Sequence, residues 1–140
     1  MKKAQMRMTR LAGLSAGLLV VAAGIGCGDP CGDPEDRVVP ASELPCSMVD
    51  ADGVWQSHPL PPITEEQCYW LEFRGCSRYE IAHPLSTAPS FVVGYISFDP
   101  DGSYATLGSG DSFVIEDVND ATVTIRNTQN QRFFLRLLLQ

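Results

Sequence analysis

Phe91-Val92-Val93-Gly94-Tyr95-Ile96-Ser97-Phe98-Asp99-Pro100-Asp101-Gly102-Ser103-Tyr104-Ala105-Thr106-Leu107 is the stretch that decides the fold class. Its first eight residues, Phe91 to Phe98, are mostly β-branched or aromatic, the types that suit a pleated, half-buried surface. Asp99-Pro100-Asp101-Gly102 then puts proline second and glycine fourth, the chemistry of a type I turn with a glycine bulge. The chain returns through Tyr104 to Leu107. The stretch reads as a β-hairpin.

Toward the C-terminus the same grammar repeats at roughly ten-residue spacing. Phe113 to Glu116, Thr122 to Arg126 and Arg132 to Leu139 are separated by Gly108-Ser109-Gly110-Asp111, Asp117-Val118-Asn119-Asp120 and Asn127-Thr128-Gln129-Asn130. The pattern predicts five strands and a mainly β fold, a small antiparallel meander. Val123 and Ile125 alternate with Thr122, Thr124 and Arg126, so period two sends both apolar side chains to one face. Phe113 with Ile115, and Phe133 with Leu135, Leu137 and Leu139, are expected to line the same interior. A one-residue slip would turn Arg126 or Arg136 into the core. A helix over the last run, with Arg132 and Arg136 four apart, is the poorer reading because so short a segment without a cap is not a stable helix.

Toward the N-terminus, Val54 to Gln56 reads as a strand, and Tyr69 to Phe73 is expected to pair with Tyr79 to His83 about Arg74-Gly75. Thr64 with Gln67 has capping-box spacing and offers a helix over 65–73 instead; Tyr69, Trp70 and Phe73 favour the strand. In that hairpin Cys68 and Cys76 stand ~17 Å apart along the ladder, beyond the ~7 Å that a disulfide tolerates, so a bond between them would exclude it. Gly53-Val54-Trp55, followed by up to eight strands ending at Leu139, and the run Tyr95 to Tyr104, are similar to the plan of small lipocalin-like envelope domains. That resemblance covers residues 52–140. It implies an up-and-down barrel with Trp55 across one end. The region from Leu60 to Pro89, with its two cysteines, has no counterpart in it.

The first ten residues carry Lys2, Lys3, Arg7 and Arg10 without an acid, Leu11 to Ile25 is uncharged and apolar or small, and Gly26 precedes Cys27. This is the layout of a signal peptide. At fifteen residues the apolar run is short of the ~20 that span a bilayer. Gly24-Ile25-Gly26-Cys27 resembles the lipobox of bacterial lipoprotein precursors, with Gly24 where the family usually has leucine. The resemblance implies a Cys27 that is lipidated as the mature N-terminus and ties the protein to the inner or outer membrane of a bacterial envelope, facing periplasm or surface. The rival is ordinary cleavage after small residues, as Val21 with Ala23, or Gly24 with Gly26, would permit.

Residues 28–45 hold four prolines and five acids, with Gly-Asp-Pro at 28–30 and again at 32–34, and read as turn-rich spacer. The expected organisation is a signal peptide over 1–26, a tether over 27–51 and one β domain over 52–140. Whole-chain charge is −7, and without the leader it becomes 6 − 17 = −11 with six arginines and no lysine. Such a field repels nucleic acid and anionic headgroups.

Five cysteines leave one odd thiol in an exported chain unless Cys27 is lipidated. Cys31, Cys46, Cys68 and Cys76 then make two disulfides in any of three connectivities. Zinc is disfavoured, since no CxxC pair is present and His58 and His83 have no ligand spacing to the cysteines. Asp99, Asp101 and Asp111 fail the EF-hand pattern because Gly108 falls where the final glutamate belongs. Gly110-Asp111-Ser112 lacks a downstream histidine to act as base. His58 and His83 precede prolines and read as surface loop residues. Trp55, Trp70, Tyr95 and Tyr104 are candidates for ligand contact or core. No catalytic residue, metal or cofactor is expected. The functional expectation is a non-enzymatic envelope lipoprotein that binds a small apolar ligand or a protein partner; a purely structural exported module is the alternative, and a hydrolase the remote one. A lined pocket of ~300 Å³ or more favours the ligand, and a filled interior favours a contact surface.

Overall fold

The computed structural model describes residues 30–140. Ten strands form within them: β1 (Glu35–Val39), β2 (Met48–Val49), β3 (Trp55–Gln56), β4 (Leu71–Phe73), β5 (Ser77–Ala82), β6 (Val92–Ser97), β7 (Thr106–Leu107), β8 (Val114–Val118), β9 (Thr122–Asn127) and β10 (Phe133–Leu139). Three single-turn 3-10 segments interrupt them, and the described residues contain no α-helix. One sheet runs β1-β5-β9-β8. The other runs β2-β3-β10-β6-β7, with β4 also pairing β10. All pairings are antiparallel except β1 with β5.

The mainly β, disulfide-stapled expectation holds, but the closed barrel does not, since each sheet keeps two free edges. The five C-terminal strands all form, yet they are not a meander. The hairpins β6-β7 and β8-β9 are local, whereas β8 and β10 each begin in the sheet opposite to the preceding strand. Turn spacing marks where strands end, while the choice of partner is made by packing between layers.

Alternation sets the core. Val123 and Ile125 of β9 are buried, as are Phe133, Leu135, Leu137 and Leu139 of β10. With Tyr79 and Ile81 of β5, Trp55, Phe73 and Phe113 they belong to one cluster of fifteen buried apolar side chains shared by both sheets. Ile115 departs from the expectation. It is 41% exposed, on an edge strand whose register shifts between Ile115 and Asp117.

The pairing about Arg74-Gly75 is also corrected. β4 joins β10 and β5 joins β1 and β9, so the two segments lie in different sheets. Glu66–Cys68 is one 3-10 turn with no side-chain cap, and the strand begins only at Leu71.

The stretch expected to be a tether is folded from residue 35 onward. Its β1 takes up the parallel register Glu35↔Ser77 to Val39↔Ile81 and buries Val39. Cys31 bonds Cys76 and Cys46 bonds Cys68, so both disulfides fasten this stretch to the later strands. Composition alone misses β1 because its partner lies some forty residues away, a separation that no local pattern reports. Residues 1–29, and with them the expected signal peptide and Cys27, lie outside the described residues.

Candidate functional site

The registers bring one end of the two sheets together. Glu35, Ser77 and Asn127 end the first sheet there, and Phe73, Phe133, Ser97 and Thr106 end the second. Asn127 fastens the two. Fully buried, it donates through Nδ2 to the carbonyls of Arg74 at 3.0 Å and Gln131 at 2.8 Å. The backbone N–H of Cys76 adds a bond to the Gln129 carbonyl at 2.9 Å.

This end carries an open groove of about 360 Å³ lined by Ile96, Phe98, Tyr104, Thr106, Gln129 and Phe133 together with Ser97 and Ser112. Phe98 and Phe133 meet with ring centroids 5.5 Å apart and form its aromatic wall. Phe98 is 70% exposed and Tyr104 96% exposed. Tyr104 also has φ 56°, a left-handed conformation costly for a bulky residue and concentrated at functional positions.

The turn behind Tyr104 is firmly built. Gly102 N–H bonds the Asp99 carbonyl at 3.1 Å, as a type I turn requires. Gly102 has φ 76°, and a Cβ there would lie 2.5 Å from Cε2 of Trp70. Asp101 accepts from the Ser103 amide at 3.0 Å and its hydroxyl at 2.9 Å, which draws the carboxyl below its ordinary pKa. Ser97 Oγ donates to the Ser103 carbonyl at 2.6 Å.

The four aromatic candidates therefore separate. Trp55 and Trp70 are core residues, 1% and 3% exposed. Trp70 Nε1 donates to the Pro59 carbonyl at 3.1 Å. Trp55 packs on β10 opposite Leu139, and its Nε1 is buried without a partner. Tyr95 is half-buried on the outward face of the second sheet, and Tyr104 alone of the four borders the groove. Sequence reasoning missed Phe98, Phe133 and Gln129 as groove residues. Phe98, a large apolar side chain directly before a turn, was the available signal.

A second cluster surrounds Arg136. Strands β3 and β4 line the same edge of β10 at its two ends, and the chain between them crosses the gap beside Arg136. Arg136 is 3% exposed, although Leu135 and Leu137 face the core. Its Nε donates to the His58 carbonyl at 2.8 Å, its Nη2 donates to Gln56 Oε1 at 2.6 Å, and its guanidinium lies 5.7 Å from the Tyr95 ring centroid. Period two places Arg136 on the face of β10 away from the core, and here that face is covered as well.

Both histidines correct the surface-loop expectation, His58 being 2% and His83 7% exposed. Burial, reinforced by the nearby Arg136 charge, lowers the His58 pKa to about 4. His58 Nδ1 is 2.9 Å from Ser57 Oγ, which accepts the Leu137 amide at 2.8 Å. Burial likewise lowers the pKa of Arg136.

The outward face of the first sheet is charged instead. Arg78 pairs with Asp36 at 3.2 Å and Glu116 at 2.5 Å, and Arg126 meets Glu116 at 3.8 Å. Among the described residues no three His, Cys, Asp or Glu side chains converge as a metal site.

No protein-family model, curated protein or solved structure matches this chain.

Proposed function

We propose that this protein is a lipid-anchored bacterial envelope lipoprotein, non-enzymatic, whose β domain holds a small apolar molecule in the groove between Phe98, Tyr104 and Phe133. The observation that carries the reading is the groove itself: about 360 Å³, with Ile96, Phe98, Tyr104 and Phe133 supplying the apolar half of its lining and Tyr104 in a strained backbone conformation at its rim. The volume is within the range of small-molecule sites. The space between the sheets is occupied by core side chains, so the ligand would sit at the end of the fold and not inside a barrel.

The groove has a natural reporter. Trp70 packs against Gly102, in the turn that leads to Tyr104. Titration with medium-chain fatty acids and an environment-sensitive hydrophobic dye is expected to change Trp70 emission saturably, and Phe98→Ser with Tyr104→Ser is expected to abolish the response. Absence of any response in the native protein would favour a protein-contact role. That reading has its own support on the outward face of the second sheet, where Met48 and Leu107 are 54% and 58% exposed.

A further inference from the structure

We propose that the Phe98–Tyr104 end of the domain faces the membrane and that these two side chains rest in the bilayer interface. The inference builds on the lipid anchor proposed above and adds to it a direction and a contact surface.

The first observation is the length of chain between anchor and fold. Cys31 is bonded to Cys76, immediately before the first residue of β5. Cys27 is four residues before Cys31, and four residues span at most about 14 Å even when fully extended. A lipid on Cys27 would therefore hold the domain close to the bilayer, with no long spacer to let it wander.

The second observation is which end is held. Residues 74–76, 98–105 and 128–132 all lie at the end where β1 and β5 begin, as the registers require. Gln129 joins them, since its carbonyl accepts the Cys76 amide and the residue lines the groove. The point of attachment and the exposed aromatic groove thus share one end of the molecule.

The third observation is the chemistry of that end. Phe98 and Tyr104 stand out from the loop, 70% and 96% exposed, a cost in water that an interface relieves. Tyrosine in particular is enriched at headgroup depth, where its ring is shielded and its hydroxyl stays wet. Asp99 is exposed between them and Asp101 is tied to Ser103, which limits penetration to the interface. The acidic chain fits a zwitterionic surface better than an anionic one.

The test uses the full-length protein, processed in its host, extracted and reconstituted into phosphatidylcholine vesicles with and without bromine-labelled acyl chains. Two single variants are compared. Tyr104→Trp places a reporter at the proposed contact, and Phe91→Trp places one at the opposite end, beside the start of β6, where Phe91 is 53% exposed. Native Trp55 and Trp70 are buried, and the native protein, measured in the same plain and brominated vesicles, supplies the background that is subtracted from each variant. The expected result is loss of most Tyr104→Trp emission in brominated vesicles while Phe91→Trp keeps its own. Equal quenching of the two, or none, in protein that floats with the vesicles would overturn the orientation and leave the anchor intact. Protein that does not float with the vesicles would overturn the anchor and this inference with it.

Discussion

His58 shows how a single residue defeats a local reading. Its proline neighbour correctly implies extended backbone, but that backbone crosses the gap between β3 and β4 and buries the ring. With a pKa lowered from 6.5 to about 4, the folded protein resists a proton that the unfolded chain accepts. The stabilising contribution is thus complete above pH 6.5 and is lost as pH falls through the interval down to about 4, by about 3 kcal/mol in total. Urea unfolding at pH 7 and pH 5 is expected to show about 2 kcal/mol of this loss, and His58→Gln is expected to flatten it relative to the native protein; an unchanged slope would remove His58 as the cause. Gly102 was legible where His58 was not, because turn chemistry is local. Gly102→Ala is expected to cost about 2–4 kcal/mol, from left-handed strain plus collision with Trp70. At Gly53, with φ 80° and open space around it, alanine should cost only about 1 kcal/mol by the same denaturation assay.

At the scale of elements, the five strands after residue 90 were readable because turn residues and period-two alternation are written within each segment. Their partners were not. Thr122 to Arg126 and Arg132 to Leu139 share the same alternation, yet β9 joins β5 and β8 while β10 joins β3, β4 and β6. What separates them is nonlocal: the buried Asn127 between two turns, and the close approach of Phe113 to Gly94, where a Cβ would sit 2.6 Å from the ring. The edge strand β1 is the extreme case, polar along most of its length and paired in parallel. The Cys31–Cys76 bond closes a separation of 45 residues, and loop-closure entropy gives its removal a cost of about 4 kcal/mol. Cys31→Ser with Cys76→Ser is expected to lower the denaturation midpoint and to speed amide exchange in β1 before β9. Uniform acceleration across both strands would mean that β1 does not open as a separate unit.

For the molecule as a whole, composition located the prolines and acids of residues 28–45 but misjudged their service, because five residues of strand and two disulfides convert most of the presumed spacer into fold. The candidate groove was similarly half legible: Tyr104 belonged to the quoted hairpin, while Phe133 and Gln129 reach the groove only through the inter-sheet crossing. The consequence is mechanical. The anchor proposed at Cys27 would act on a body fastened four residues later, and stable attachment would require two or more acyl chains since one binds only marginally. Cys27→Ser should therefore release the protein to the soluble fraction or stall its processing, while both disulfides still form. Intact mass of membrane-extracted native protein is expected to show added lipid and a gain of four hydrogens on reduction, from the two bonds among Cys31, Cys46, Cys68 and Cys76. The Cys27→Ser protein is expected to show the same gain without the lipid. Normal maturation and membrane retention of that variant would transfer the anchoring role away from Cys27.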